Sequence, residues 1–181
     1  IFKVEPSTYI KMTNKLPLHY PQKPLNLNSD YGNIKVKHFY NIDNLKNKSI
    51  ENRDSENYTK KLEKLILNSL DLQSKADVNV GALLSGGIDS SLIVSLLQKS
   101  SINKINTFTL GFEESTFDES EKAFKVSNIL GTNHNYYKIC NNDIERIIPK
   151  LGFIYDEPFA DSSQIPSCII SAFSSKSVKV L

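Results

Sequence analysis

The fold of this 181-residue chain is decided by the stretch Gly81-Ala82-Leu83-Leu84-Ser85-Gly86-Gly87-Ile88-Asp89-Ser90-Ser91-Leu92-Ile93-Val94. It opens on an apolar run typical of a buried strand, passes through a turn of serine and glycine, and continues with apolar residues at helical spacing. Gly86 and Gly87 permit backbone angles and close approaches that a side chain would obstruct. A strand, a glycine turn and a helix start in this order predict a phosphate-binding loop.

The residues of this loop predict how an anion would be held. Backbone N–H groups at the helix start and the positive end of the helix dipole favour phosphate, and the hydroxyls of Ser85 and Ser90 add donors. The carboxylate of Asp89 would repel phosphate unless a cation lay between them, which predicts Mg²⁺. No Gly-Lys-Ser/Thr follows the glycines, so the pattern excludes an ordinary P-loop kinase or GTPase. The structural alternative is a plain glycine turn with Asp89 as the helix N-cap.

Strand and helix patterns alternate from residue 78 onward. Helical spacing follows an Asp54/Ser55 start signal and recurs around residues 89–97, 123–130, 144–148 and 165–173. Gly131 is a candidate C-cap. Strand patterns cover residues 78–84, 105–111, 134–139 and 177–181. This alternation predicts an α/β fold with a parallel sheet flanked by helices, whose ligands lie beyond the carboxyl ends of the strands.

Residues 1 to about 52 differ in composition and are predicted to belong to a preceding domain or to a linker from one. They are rich in Pro, Asn, Lys and Tyr, and residues 34–40 alternate as a half-exposed strand would. The sequence therefore predicts two parts, residues 1–52 and 53–181. The chain begins at Ile1 rather than methionine and stops within a strand pattern at Leu181, which predicts a fragment truncated at both ends. A processed N-terminus is the alternative interpretation of Ile1.

Bulk composition narrows the classes of partner. Hydrophobic residues make up 39% and charged residues 23%, and the formal net charge is +2, so no electrostatic signal points to nucleic acid or an anionic membrane. No stretch approaches the ~18 apolar residues of a membrane span. The two cysteines, Cys140 and Cys168, show neither metal-ligand spacing nor a disulfide framework and are predicted to be packing residues. A reducing, cytoplasmic location is expected.

The loop resembles the Ser-Gly-Gly-x-Asp-Ser loop of the ATP pyrophosphatases, which hold the pyrophosphate of ATP while a substrate oxygen attacks the α-phosphate. Two further stretches choose within that group. Residues 107–120, with His134 after them, and residues 156–166, which include Asp156-Glu157-Pro158, are similar to the glutamine-hydrolysing asparagine synthetase family. The resemblance covers about residues 54–181, and residues 4–9 resemble the exit from that family's glutaminase domain. It implies an adenine nucleotide alpha hydrolase-like, Rossmann-like fold preceded by a remnant of the N-terminal glutaminase β domain.

The resemblance also implies roles for individual residues. ATP would be held by a set of loop and strand-end residues: Leu83, Ser85, Gly86, Gly87, Asp89, Ser90 and Leu110. Leu83 and Leu110 would flank the adenine, although as apolar residues they are expected in the core in any case. The implied catalytic set is Asp89, Asp156 and Glu157, the implied substrate-binding set is Asp156, Glu157 and Asp161, and Asp89 would hold Mg²⁺ through the phosphates.

Plainer structural roles stand beside these. Asp118, with a glutamate three residues on, has the spacing of a capping box, and Ser162 or Ser163 could cap the following helix. His134 could be a hydrogen-bonded core histidine. The acidic segment 156–161 could be a solvated loop, although a position at the carboxyl edge of a strand favours a site lining.

The implied reaction consumes ATP, aspartate and glutamine. The aspartate side chain would give β-aspartyl-AMP and pyrophosphate, and ammonia from glutamine would then give asparagine and AMP. The partners are therefore small molecules, with the use of free ammonia and a homodimeric assembly left open. Three alternatives remain: a sister amidotransferase acting on another carboxylate, a different ATP pyrophosphatase, and a non-catalytic nucleotide-binding remnant. No catalytic cysteine stands near residue 1 and the family's second pyrophosphate-side motif would follow Leu181, so the 181-residue piece alone is predicted to be inactive.

Overall fold

An antiparallel pair of strands is the regular structure described within residues 1–54. The computed structural model describes residues 3–13, 22–27, 33–41, 55–114, 116, 118–158 and 160–181, and the chain divides into units 1–54 and 55–181. Strand β1 (Thr8–Met12) pairs with β2 (Ile34–His38), with Thr8 opposite His38. Ile34 and Val36 are buried while their neighbours are exposed, which confirms the alternating strand predicted there.

Helices and strands alternate from residue 55 to residue 147, as the sequence predicts, and the helices after that follow one another with no described strand between them. The strands of this unit, within the described residues, are β3 (Gly81–Leu83), β4 (Asn106–Gly111) and β5 (Asn133–Lys138). The α-helices are α1 (Ser55–Ser74), α2 (Ile88–Ser100), α3 (Ser120–Leu130), α4 (Asn141–Ile147), α5 (Leu151–Ile154) and α6 (Gln164–Ser174). No helix within the described ranges combines the length and apolar character needed to cross a bilayer.

The three strands form a parallel sheet in the order β3-β4-β5, with helices on both faces. On one face, Ala82 and Leu84 pack against Val94 of α2 and Ala123 of α3. On the other face, α6 covers β4 by an edge-to-face contact of Phe108 with Phe173, whose ring centroids are 5.9 Å apart. A parallel sheet flanked by helices is therefore the observed fold, as predicted.

Helix ends follow local chemistry. Helix α3 ends at Gly131 in the left-handed conformation, with φ of +71°, as predicted for a C-cap. Helix α4 ends before Pro149, which lies in a 3₁₀ turn, Ile148–Lys150, that leads directly into α5. The first turn of a helical segment does not need the proline N–H, so Pro149 is tolerated there. The predicted start signal Asp54 lies outside the described residues, and α1 begins at Ser55.

The predicted strand at residues 177–181 is reduced to a single bridge. Val180 pairs in parallel with Val80, and two hydrogen bonds hold it: Gly81 N–H to the carbonyl of Val180 (2.8 Å) and Lys179 N–H to the carbonyl of Asn79 (3.1 Å). This bridge lies on the side of β3 away from β4. The chain after α6 therefore returns to the end of the sheet at which the strands begin.

Cys140 does not pack in the core, so the prediction for this residue is wrong. It is exposed and caps α4: its Sγ lies 3.1 Å from Oδ2 of Asp143, and its N–H donates to the same oxygen at 3.0 Å. These hydrogen bonds lower the pKa of Asp143, the backbone bond from Cys140 first. Cys168 is partly buried, 3.5 Å from the hydroxyl of Tyr155.

Candidate functional site

The serine–glycine loop lies at the carboxyl end of β3, where α2 begins. Gly87 is the N-cap of α2, and Ile88 is its first residue. The alternative in which Asp89 caps the helix is therefore wrong, because Asp89 lies within the first helical turn and is exposed. The loop thus occupies the edge at which parallel sheets bind their ligands.

The two serines close the loop upon itself. The hydroxyls of Ser85 and Ser90 lie 2.9 Å apart, and the N–H of Ser85 points to Oγ of Ser90 at 3.3 Å. Gly87 N–H donates to Oγ of Ser85 (3.3 Å), and Ser91 N–H donates to the carbonyl of Gly87 (3.0 Å). These bonds give the loop one defined shape, so its amides are oriented before any ligand arrives.

Gly86 is required where it stands. Its φ is +79°, and a Cβ built on it would lie 2.6 Å from the backbone N of Ala123 and 2.8 Å from the carbonyl carbon of Lys122. The first turn of α3 therefore rests directly on the loop. The sequence predicts a close approach at Gly86, but it does not predict that the approaching group is another helix of the same domain.

The start of α2 presents free donors to solvent. Among the described residues, the N–H groups of Gly86, Ile88, Asp89 and Ser90 have no acceptor. Unpaired amides of this kind, together with the helix dipole, form an anion-binding site. A phosphate group fits the arrangement.

Asp89 fits a cation that arrives with the phosphates rather than a preformed metal centre. In the part of the chain that the structure describes, no three His, Cys, Asp or Glu residues are grouped as metal ligands would be. Mg²⁺ is commonly held by one or two carboxylates together with substrate phosphates. A single exposed carboxylate beside an anion site matches that donor set.

The acidic segment 156–161 follows a helix and not a strand, which corrects the expectation about its connection. It lies between α5 and α6, and Phe159 within it is outside the described residues. Helix α6 runs toward the end of the sheet at which the strands begin. Its Phe173 contacts Phe108, and its first residue, Gln164, lies about 14 Å from Phe173 along the helix axis. Beyond Phe108, β4 continues for three residues, or about 10 Å, so the start of α6 lies past the carboxyl end of β4. The segment therefore lies on the carboxyl side of the sheet, the side on which the loop is found.

The carboxylates of this segment differ in their surroundings. Asp156 and Glu157 are exposed, and Glu157 has an interaction of its own. Asp161 accepts from Ser163 N–H at 2.8 Å, and hydrogen bonds from the side chain and backbone of Ser163 lower the pKa of its carboxyl group. Ser163 occupies the N-cap position of α6 without a side-chain capping bond, so the predicted serine cap is not formed.

Leu83 is not a core residue, contrary to the expectation that it would be buried in any case. It is 47% exposed, and Leu110 is partly buried. Leu83 lies beside Phe108 on the sheet face that α6 covers, and Leu110 shares that face two residues further along. Leu83 thus leaves apolar surface exposed near the loop, and adenine contact there stays a prediction.

Asp118 and His134 take structural positions. Oδ1 of Asp118 accepts from Ser120 N–H at 3.0 Å, and hydrogen bonds from Ser120 lower the pKa of this carboxyl group. The capping box does not form, because Glu119 is the N-cap and Glu121 pairs with a lysine. His134 lies near the start of β5, away from the loop, with Nδ1 3.0 Å from Oγ1 of Thr107. Its Nε2 is buried without a hydrogen-bond partner among the described residues. The prediction of a hydrogen-bonded core histidine therefore holds for one ring nitrogen and not for the other.

Sequence reasoning missed one contact at the loop. The buried hydroxyl of Thr109 bonds the carbonyl of Leu84, the residue before the loop. A threonine in an alternating strand carries no signal of such a bond, because its partner lies 25 residues away in the sequence.

Comparison with known proteins gives a consistent family. A family model described as asparagine synthase matches residues 61–181. A putative glutamine-hydrolyzing asparagine synthetase of Methanocaldococcus jannaschii is 37% identical over 119 residues, which are 65% of this chain and 23% of the relative. Asparagine synthetase [glutamine-hydrolyzing] 1 of Bacillus subtilis is 32% identical over 127 residues, 70% of this chain and 20% of the relative. The chain thus spans about a fifth of the length of these relatives.

Two solved structures are distantly similar. An NMN synthetase of Francisella tularensis has a TM-score of 0.45 at 18% identity and covers 69% of this chain and 52% of its own. An NH3-dependent NAD synthetase of Campylobacter jejuni, in complex with the nitrate ion, has a TM-score of 0.40 at 17% identity, over 68% of this chain and 53% of its own.

Proposed function

The chain belongs to the asparagine synthase family, and from that premise we propose that it supplies the ATP-binding region of a ligase that makes the amide of asparagine. The aspartate side-chain carboxylate attacks the α-phosphorus of ATP, and the bond to the pyrophosphate oxygen breaks. The products are β-aspartyl-AMP and pyrophosphate. Ammonia from glutamine then attacks the acyl carbon, loses a proton, and releases asparagine and AMP.

One observation carries the proposal: the free amides at the start of α2 lie at the carboxyl end of β3. Pyrophosphate gains negative charge as it leaves, and oriented amides stabilise charge that develops in the transition state. The loop is held in shape by its own serine hydroxyls, so little reorganisation is needed at that moment. The same amides would hold the β- and γ-phosphates in the ground state.

Asp89 would hold Mg²⁺ against the phosphates, and the ion would neutralise part of the charge on the leaving group. Asp156, Glu157 and Asp161 would line the aspartate site from the segment before α6. Their negative charge suits the α-ammonium group of an amino acid. Residues 1–52 would be the exit from a glutaminase domain, and the protein would act in the cytoplasm on small molecules.

Exchange of labelled pyrophosphate into ATP tests the first half-reaction in the full-length protein. We expect exchange that requires aspartate and Mg²⁺, and a loss of roughly 10²-fold or more in Asp89→Ala, the size typical of removing one electrostatic stabiliser. The matched control is Asp71→Ala, which removes an exposed aspartate paired with Lys75 on α1 and should leave exchange unchanged. Exchange with another carboxylate in place of aspartate would move the protein to a sister amidotransferase. Binding of ATP without any exchange would leave only a remnant.

A further inference from the structure

Thr109 joins the second strand of the sheet to the residue that enters the loop. It is 3% exposed, and its hydroxyl donates to the carbonyl oxygen of Leu84. Leu84 also donates its N–H to the carbonyl of Phe108 at 3.0 Å, and its side chain is almost fully buried. Both polar backbone groups of the last residue before the loop are therefore held by β4.

The hydroxyl takes the place of a regular sheet hydrogen bond. The ladder between β3 and β4 pairs Leu83 with Phe108, and its next rung would bring the N–H of Leu110 to the carbonyl of Leu84. Within the described residues this backbone hydrogen bond is absent, and the carbonyl of Leu84 accepts a hydrogen bond from the hydroxyl of Thr109 instead. The direction in which the chain leaves the sheet is thus set by a side chain.

The held carbonyl belongs to the same planar peptide unit as the N–H of Ser85. Because the unit is rigid, fixing its oxygen also fixes the direction of that N–H. The N–H of Ser85 points to Oγ of Ser90 at 3.3 Å, and the two serine hydroxyls are 2.9 Å apart. The Thr109 hydroxyl is therefore connected through one peptide plane to both hydroxyls of the loop.

We propose that Thr109 is a positioning residue of the nucleotide site: it orients the peptide between Leu84 and Ser85 and does not contact the nucleotide. The proposal rests on the proposed function only in taking the loop as the site of the ATP phosphates. It adds a residue outside the serine–glycine motif to the requirements for ATP binding.

The test compares two buried threonines of β4 in the full-length protein. Thr109→Val removes the hydroxyl that holds Leu84, while Thr107→Val removes an equally buried hydroxyl that contacts Thr132 and His134 instead. Thr109→Ser restores the hydroxyl, and Thr109→Ala repeats the loss without the branched side chain. We measure the dissociation constant for ATP, and in pyrophosphate exchange the KM for ATP and for aspartate.

We expect Thr109→Val and Thr109→Ala to weaken ATP binding about tenfold, in line with the sensitivity of such sites to small displacements. The KM for aspartate should stay unchanged, and Thr109→Ser and Thr107→Val should bind ATP like the wild type. Equal weakening in Thr107→Val, or no rescue by Thr109→Ser, would overturn the proposal. If the wild-type protein binds ATP but shows no exchange, the proposed ligase function is refuted. The dissociation constants of the variants then still test the positioning role of Thr109. Failure of the wild type to bind ATP would overturn both.

Discussion

Replacing Gly86 by alanine tests how the loop is built, because two costs fall on one methyl group. At φ of +79° an L-residue costs roughly 1–2 kcal/mol. The methyl carbon would also lie 2.6 Å from the backbone N of Ala123 and 2.8 Å from two atoms of Lys122. Backbone atoms of α3 cannot turn aside, and overpacking of this kind costs about 1–3 kcal/mol more. The expected loss in the free energy of unfolding is therefore about 2–5 kcal/mol.

Gly131→Ala is the matched control for the conformational part of that cost. Gly131 has φ of +71°, and nothing lies within 4 Å of a Cβ built on it, so we expect a loss of roughly 1–2 kcal/mol. Urea unfolding of the full-length proteins, with midpoint and slope fitted together, measures both variants. If Gly86→Ala is no less stable than Gly131→Ala, the first turn of α3 does not press on the loop and the reasoning is refuted.

Two further predictions concern titration and capping. Burial lowers the pKa of His134, so the unfolded chain binds more protons than the folded chain as pH falls below about 6.5. The free energy of unfolding should therefore decrease below that pH. His134→Asn should make this decrease smaller in unfolding midpoints measured from pH 5 to 8. Hydrogen bonds from Cys140 lower the pKa of Asp143, so its contribution is present above the unfolded pKa near 4 and is lost as pH falls through the folded value. Asp143→Ala should cost about 1 kcal/mol at neutral pH, against about 0–0.5 kcal/mol for the exposed ion-pair control Asp71→Ala; equal losses would contradict the capping role.

Local chemistry explains what the sequence predicts well. The positions of the helical segments, the turn at Gly131 and the strand entering the loop depend on neighbouring residues, and the sequence patterns match the observed elements. Helix α2 begins within one residue of the expected position for the same reason.

Failures share a dependence on distant parts of the chain. Leu83 is apolar like a core residue, but its burial depends on which distant parts of the chain pack against β3, and it is 47% exposed. Residues 177–181 have a strand pattern, but a strand is defined by its partner, and the described pairing is one bridge at Val180. Cys140 is predicted to be a packing residue because capping by a thiol is rare. Its capping role is recognised only from the contact of its Sγ with Asp143. The bond from Thr109 to Leu84 is likewise made across the sheet.

Transfer of oxygen from aspartate to AMP tests the central claim most directly. Full-length protein would be given ATP, glutamine and aspartate labelled with ¹⁸O in the side-chain carboxylate. Attack of that carboxylate on the α-phosphorus, with pyrophosphate leaving from the loop at the start of α2, predicts one ¹⁸O atom in each AMP formed with asparagine. Asparagine formation with ¹⁸O in inorganic phosphate, and none in AMP, would place the attack on the γ-phosphate and contradict the account.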